Sequence, residues 1–236
     1  MTFILTNDDG IDAPGIYALR EALKQCDIGD GVIVAPRDHH SGCSHRLTRG
    51  YPLAIEYREE KAIAISGTPA DCTRVAVSYL YPNTQFVLSG INAGGNLGAD
   101  VYVSGTVAAV REAVLHRVPG IAISHYIKRG QPIDWAIAAR LAAKVLHTLL
   151  DKPHTPGTFW NVNLPHLNPD APDPAIEFCQ LCTQPLPLDY EIEQGTDGES
   201  LRFVGDYSQR PRDARSDTDV CFSGNIAVTE LSLWAT

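Results

Sequence analysis

Two adjacent carboxylates, Asp8 and Asp9, follow a short apolar run near the start of the chain. Like charges at this spacing raise the free-energy cost of ionising each other, and a nearby cation removes that cost. Carboxylate oxygens suit hard ions such as Mg²⁺ or Mn²⁺, whereas Zn²⁺ prefers nitrogen or sulfur. The pair therefore indicates a site for a hard divalent cation, although with Asn7 it would equally fit a simple turn or helix cap.

Three histidines, His39, His40 and His45, lie in a polar segment that has no hydrophobic periodicity. Such a segment is typical of a functional loop. These histidines could bind a softer metal or transfer protons, but solvated loop histidines are the commoner case. We therefore treat them as candidate substrate contacts and not as metal ligands.

A glycine-rich segment, residues 89–106, ends in Ser104-Gly105-Thr106 before a helical pattern. Glycines let the backbone approach a ligand closely, and the hydroxyl and N–H groups at a helix start favour phosphate oxygens. The segment matches neither the dinucleotide pattern G-x-G-x-x-G after the first strand nor a phosphate loop ending in G-K-S/T. Taken alone, it also fits a tight loop that binds nothing.

Short apolar runs alternate with helical patterns through about residue 165, which predicts an α/β fold with a doubly wound, mainly parallel sheet. Ligands bind such sheets at the carboxyl ends of the strands. Asp8, Asp9, the Ser41 loop and the Asn92 loop all follow predicted strands, so they can converge on one crevice. The predicted strands are 3–5, 32–35, 52–57, 62–66, 86–88, 121–124 and 159–164, and the predicted helices are 16–23, 69–79 (capped by Thr68 and Asp71), 107–116 and 133–150.

From Asn168 onward, prolines and acidic residues increase and the alternation of strands and helices stops. Short β-like runs such as 226–231 predict hairpins that either pack on the main domain or pair with another subunit. We therefore expect a Rossmann-like catalytic domain over 1–167 and a C-terminal β-hairpin extension over 168–236 that takes part in oligomer formation.

The chain of 236 residues has 28 acidic and 19 basic residues, and its net charge of -9 argues against binding to duplex nucleic acid. One C-x-x-C pair, Cys179 and Cys182, lacks the second pair that a structural zinc site would need. No apolar stretch approaches the length of a membrane span, and the first residues have no signal-peptide pattern. We expect a cytoplasmic globular protein that binds a small ligand and has no membrane partner.

Four motifs in the correct order resemble the survival protein SurE family of nucleotidases. Weaker similarity in NVNLP at 161–165 and in TDVCFSGNIAVTEL at 218–231 extends the resemblance over nearly the whole chain. The four motifs are ILTNDDGIDAPGI at 4–16, VAPRDHHSGCSHRLT at 34–48, SGTPADCTRVAV at 66–77 and LSGINAGGNLGADVYVSGTVAAVREAV at 88–114.

The resemblance implies a Rossmann-like domain with an extension used for dimer or tetramer assembly. It also implies a 5′/3′-nucleotidase that acts on nucleoside monophosphates with one Mg²⁺ or Mn²⁺ ion, and some members also accept polyphosphate ends. Matched position by position, the family's metal ligands fall on Asp8, Asp9, Ser41 and Asn92, and its phosphate-proximal residues on Asn96, Ser104 and Thr106.

The corresponding hypothesis is in-line attack of water on the phosphoryl group, with Asp8 or Asp9 receiving the proton. Asn96, Ser104 and Thr106 would hold the other phosphate oxygens. A covalent aspartyl-phosphate route is a rival, but enzymes of that kind have a second aspartate two positions on, where this chain has Gly10. A non-catalytic nucleotide sensor is the alternative function, because a fold alone does not define an activity.

Overall fold

The computed structural model describes residues 2–29, 31–59, 61–168, 171–195 and 198–234. Its helices are α1 (Pro14–Gln25), α2 (Pro69–Val75), α3 (Gly105–Leu115), α4 (Trp135–Leu150) and α5 (Asp217–Phe222). Its strands are β1 (Phe3–Thr6), β2 (Gly31–Pro36), β3 (Ile55–Glu59), β4 (Ala62–Ile65), β5 (Phe86–Ala93), β6 (Gly120–His125), β7 (Thr158–Leu164), β8 (Ile176–Phe178), β9 (Tyr190–Gly195), β10 (Gly198–Phe203) and β11 (Ile226–Ser232).

Nine of these strands form one open sheet in the order β3-β4-β2-β1-β5-β6-β7-β11-β8. The central pairs β2 with β1, β1 with β5, β5 with β6 and β6 with β7 are all parallel. Antiparallel pairing occurs where β3 meets β4 and where β11 meets β7. The predicted α/β fold with a mainly parallel sheet is confirmed.

Helices cover both faces of the sheet, as expected for strands that are buried on both sides. Successive residues of β1 point to opposite faces: Leu5 packs in the cluster that includes α1 and α4, and Ile4 in the cluster that includes α2. Helix α1 contacts α4, and α2 contacts α3. Among the described residues, no helix is both long enough and apolar enough to cross a lipid bilayer.

Helix α2 begins as the sequence predicts. The Thr68 hydroxyl accepts a hydrogen bond from the Asp71 N–H at 3.2 Å, and the Asp71 carboxylate accepts one from the Thr68 N–H at 3.0 Å. This reciprocal arrangement is the capping box. The regular helix ends at Val75, earlier than the predicted end near Tyr79, and a π-helical turn over Ala76–Leu80 continues it.

The C-terminal segment differs from a tail built only of hairpins. Strands β9 and β10 do form a hairpin, but β11 lies inside the main sheet, antiparallel to β7 and parallel to β8. The reason is burial: the apolar start of β11, Ile226–Val228, is nearly inaccessible to solvent and needs a neighbour on each side. Strands β8 and β11 belong to the same sheet as β1–β7. The division of the chain into a catalytic domain and an extension at residue 167 stays a prediction.

Candidate active site

Three neighbouring strands deliver the predicted metal-binding residues to one edge of the sheet. Asp8 follows β1, the loop that contains Ser41 follows β2, and Asn92 lies near the end of β5. Because β2, β1 and β5 are adjacent and parallel, their carboxyl ends meet at this edge. The His40 N–H donates a 2.7 Å hydrogen bond to the Asp8 carbonyl, which brings the exposed Ser41 next to the β1 loop.

Asp8 is a buried carboxylate, with only 4% of its surface exposed. Its Oδ1 accepts a short hydrogen bond from the hydroxyl of Thr106. Burial raises the pKa of Asp8 to about 6, and the negative charge of Asp9 adds to the rise, while the bond from Thr106 opposes it. The ionised form of Asp8 is therefore under-compensated by the protein around it.

Asp9 is more accessible and connects the β1 loop to the end of β5. Its Oδ2 accepts a 3.1 Å hydrogen bond from the N–H of Ala93, and the Nδ1 atom of His39 lies 3.6 Å from its Oδ1. Beside Ala93, the side-chain amide nitrogen of Asn92 donates to the Gly94 carbonyl at 2.8 Å. The other polar atom of the Asn92 side chain is the amide oxygen, and this oxygen could bind a cation.

The start of helix α3 lies directly against Asp8. A Cβ atom on Gly105 would lie 2.8 Å from the Asp8 Cβ and 2.9 Å from its Oδ2, so only glycine allows this approach. Ser104 caps the helix, since its hydroxyl accepts a 3.1 Å hydrogen bond from the Val107 N–H. The N-terminus of a helix carries partial positive charge and free N–H groups, which suit a phosphate placed beside the two carboxylates.

Asn96 is buried and held by three other polar residues. Its side-chain amide donates to the Ser124 hydroxyl at 2.7 Å, and its backbone N–H donates to Asn163 at 2.8 Å. Its carbonyl accepts bonds from the amides of Asn161 and Asn163 at 2.9 and 3.0 Å. Sequence reasoning did not assign a role to these two asparagines; the signal was two polar residues at alternate positions in an otherwise apolar strand.

Two residues of the C-terminal segment, also unassigned from the sequence, hold the same glycine-rich loop. Asp217 accepts a 2.7 Å hydrogen bond from the Gly98 N–H. Arg210, which is buried, donates to Asp100 at 2.9 Å and to the Leu97 carbonyl at 3.0 Å. These contacts join positions more than a hundred residues apart, and no local pattern in a single sequence indicates them.

His45 lies away from the two carboxylates and pairs with Glu112 on α3 at 2.8 Å. Glu112 also accepts a hydrogen bond from Arg74 at 2.7 Å. The Nε2 atom of His116 lies 2.9 Å from the same carboxylate and donates to it when that nitrogen is protonated. Burial of Glu112 raises its pKa, but these three partners outweigh burial and lower the pKa to about 2. His45 therefore links the Ser41 loop to α3 through Glu112. His39, by contrast, lies beside Asp9.

The residues at this edge fit a hard divalent cation. Within the described ranges, no lysine or arginine pairs with Asp8 or Asp9. Among the described residues, no group of three or more His, Cys, Asp or Glu side chains forms a metal site. The predicted ligand set differs from such a group, because it combines two carboxylates with a serine and an asparagine. All four side chains offer oxygen, the donor that Mg²⁺ and Mn²⁺ prefer. The assignment of Asp8, Asp9, Ser41 and Asn92 as ligands remains a prediction.

An open, mainly parallel sheet, with polar loops and a helix N-terminus at the carboxyl ends of its strands, defines a Rossmann-like α/β protein with a candidate ligand site at that edge. The model of one family, survival protein SurE, matches residues 3–186. The chain belongs to this family, which confirms the resemblance in its motifs.

Individual relatives agree with the family match. A protein of Nostoc sp. is 54% identical over 231 residues, covering 98% of this chain and 99% of the relative. The 5′-nucleotidase SurE of Clostridium beijerinckii is 33% identical, covering 98% of this chain and 92% of the relative. The crystal structure of the SurE protein from Aquifex aeolicus is 30% identical and superposes with a TM-score of 0.89, covering 100% of this chain and 95% of that one.

Proposed function

We propose that this chain is a divalent-metal-dependent phosphatase that hydrolyses nucleoside 5′- and 3′-monophosphates to nucleoside and phosphate, and that it also acts on polyphosphate ends. The observation that carries the proposal is the buried, under-compensated Asp8 placed beside Asp9 and against the N-terminus of α3. The relatives from Clostridium beijerinckii and Geobacter metallireducens, both named 5′-nucleotidase SurE, support the substrate class.

Asp8, Asp9, Ser41 and Asn92 would hold one Mg²⁺ or Mn²⁺ ion. When bound, such an ion stabilises charge on a phosphoryl group and lowers the pKa of water. The donor set supports this assignment because it offers hard oxygen atoms around a carboxylate whose charge the protein leaves under-compensated.

The other site residues would position the phosphate. Ser104 and Thr106 would bind phosphate oxygens, Ser104 through its hydroxyl and Thr106 through its backbone N–H, because the Thr106 hydroxyl already donates to Asp8. Asn96 would orient the attacked group from its fixed place in the loop. Asp8 or Asp9 would receive the proton of the attacking water.

We also propose that the enzyme works in the cytoplasm as a homodimer or homotetramer. All six cysteines are unpaired, as in proteins of reducing compartments. The β9–β10 hairpin exposes apolar side chains on one face, where Ile192 lies opposite Leu201 and Tyr190 opposite Phe203. A second subunit would bury this face. We propose no membrane partner and no duplex nucleic acid partner for a chain of charge -9.

Phosphate release from a panel of 5′- and 3′-nucleoside monophosphates tests the proposal. The protein is first treated with a chelator, and Mg²⁺ or Mn²⁺ is then restored. We expect no release with the chelator and release with the metal. If a folded sample binds nucleotides but releases no phosphate with either metal, the enzyme assignment is wrong and the sensor alternative is favoured.

A further inference from the structure

A cavity of about 550 Å³ lies beyond the ends of β6 and β7, beside the start of α4. We call it the Trp135 cavity; its lining includes Trp135, His125, His166, Gln131 and Asn168. Its volume falls within the range of small-molecule sites. None of the predicted metal or phosphate residues lines it, so it is separate from the candidate site described above.

The Trp135 cavity nevertheless borders the carboxylate site on two sides. His125 is the register partner of Ala93 on β5, and the Ala93 N–H is the group that donates to Asp9 at 3.1 Å. On the other side, a Cβ atom on Gly15 would lie 3.1 Å from the Trp135 ring, and Gly15 is at the start of α1, just after the Asp8 loop. Neighbouring strands are about 5 Å apart. At the pair Ala93 and His125, the Asp9 end of the carboxylate site and the cavity therefore lie on adjacent strands, about one strand spacing apart.

The chemistry of the lining favours a neutral, planar group over an anion. Burial lowers the pKa of His125 to about 4 and also lowers that of His166, so both imidazoles are neutral near pH 7. Asp134 already caps α4 by accepting bonds from its first N–H groups at 3.0 and 3.1 Å. Among the described lining residues there is no lysine or arginine. The lining itself thus supplies no cation for a phosphate, and the nearby positive charge of Lys128 acts on His166 only to lower its pKa further.

We propose that the Trp135 cavity binds the nucleobase of the substrate against the indole ring, while the phosphate lies at Asp8 and the start of α3. The proposal rests on the proposed function, because it assumes a nucleotide substrate. Aromatic rings stack on any nucleobase, and this contact depends little on base identity. Gln131 and Asn168 are exposed amides at the same cavity that can hydrogen-bond to the edges of a base.

Steady-state kinetics of Trp135→Ala tests the proposal. We expect the KM for a nucleoside monophosphate to rise at least about fivefold, because a base–aromatic stack is lost. The inhibition constant of inorganic phosphate should not change, since phosphate does not enter the cavity. Trp135→Phe should stay close to wild type, and Trp234→Ala, which removes an exposed indole, is the control. An unchanged KM, or an equal change in both constants, would overturn the proposal.

A second measurement needs no turnover. Adenosine is titrated into the metal-free protein while tryptophan fluorescence is recorded. We expect saturable quenching in the wild type and in Trp234→Phe, and its loss in Trp135→Phe, in which the reporting indole is absent. Absence of quenching in the wild type would contradict a base site in this cavity. If the wild type released no phosphate from nucleotides, the proposed function would fail, but this titration would still decide whether the cavity binds a base.

Discussion

One buried carboxylate, Glu112, belongs to helix α3 and another, Asp8, packs against the start of that helix, and the surroundings of the two are opposite. Glu112 is fully buried and is surrounded by Arg74, His45 and His116, which lower its pKa to about 2. Asp8 is almost as buried, but its side-chain partner is the neutral hydroxyl of Thr106 and its neighbour is another acid, so its pKa rises to about 6.

The difference separates a structural role from a candidate functional one. A buried charge costs free energy unless it is paired, and the fold supplies partners for Glu112 from α2, the residue after α3 and the Ser41 loop. At Asp8 the protein offsets little of the free-energy cost of burying the charge. A cation from solution gains most where the protein has not supplied one, so the edge of the sheet at Asp8 suits a metal and the Glu112 cluster does not.

The largest expected effect is that of Asp8→Asn. Asparagine keeps the size of the side chain and an oxygen that can accept from Thr106, but it removes the charge that would bind the metal. We expect metal-dependent phosphate release to fall about 100-fold or more, since even changes outside the ligands of a metal site cost about 10- to 100-fold. The free energy of unfolding of the metal-free protein should not fall, because an under-compensated buried charge is lost.

Asp12→Asn is the matched control, because Asp12 is exposed and lies in the same loop. Phosphate release and the midpoint of urea unfolding are measured for both variants. Retention of full metal-dependent release by Asp8→Asn would show that Asp8 is not a ligand. A large fall in unfolding free energy would show that Asp8 is paired in the fold, like Glu112.

Local patterns predicted the framework that carries Asp8. Alternating strands and helices, and the Thr68–Asp71 capping box, depend on neighbours in the sequence, and the structure confirms them. The loops at the strand ends could be placed at one edge because parallel strands share a direction. The end of β5 was underestimated: the predicted strand stopped at Leu88, whereas pairing with β6 extends it to Ala93.

The long-range contacts of Glu112 and of the glycine-rich loop could not be predicted in the same way. Glu112 meets His45 across 67 positions, and Asp217 meets Gly98 across 119. Such contacts depend on how α3 and the C-terminal segment pack, not on local spacing. For the same reason the place of β11 inside the main sheet was missed, since its partner β7 lies more than sixty residues earlier.

A smaller effect is expected for Glu112→Gln, which tests the other side of the comparison. The change leaves His45, Arg74 and His116 without a negative partner, and hydrogen bonds to charged groups contribute about 1.5–3 kcal/mol each. These partners are partly exposed, so water replaces some of the loss. We expect the free energy of unfolding at pH 7 to fall by about 2 kcal/mol, measured by urea unfolding.

The loss of unfolding free energy in Glu112→Gln should depend on pH. The folded-state pKa of Glu112, about 2, lies below its ordinary value of 4.5, so the ionised form is stabilised by folding. Its contribution is fully present above about pH 4.5 and is lost as the pH falls through about 2. The difference between wild type and Glu112→Gln should therefore shrink between these values. Glu21→Gln, on the exposed face of α1, is the control for replacing a glutamate outside this cluster.

The smallest effect is expected for Thr106→Val, which changes the partner of Asp8 and leaves Asp8 itself. Valine has the shape of threonine but cannot donate to the Asp8 Oδ1, so the ionised carboxylate loses the hydroxyl donor that the described residues give it, and its pKa should rise further. Residues that hold metal ligands typically contribute about 10- to 100-fold to metal affinity. We expect the Mn²⁺ concentration for half-maximal phosphate release to rise about tenfold.

Thr73→Val separates this effect from the mere loss of a buried hydroxyl. Thr73 is as buried as Thr106, but its hydroxyl has no hydrogen-bond partner among the described residues. Its replacement should leave the Mn²⁺ requirement unchanged and should not lower the free energy of unfolding, because an unpaired polar group is removed from the interior. If both variants shifted the Mn²⁺ requirement equally, the bond from Thr106 would not be what prepares Asp8 for a metal. A shift in Thr106→Val alone would show that the bond from Thr106 prepares Asp8 for the cation.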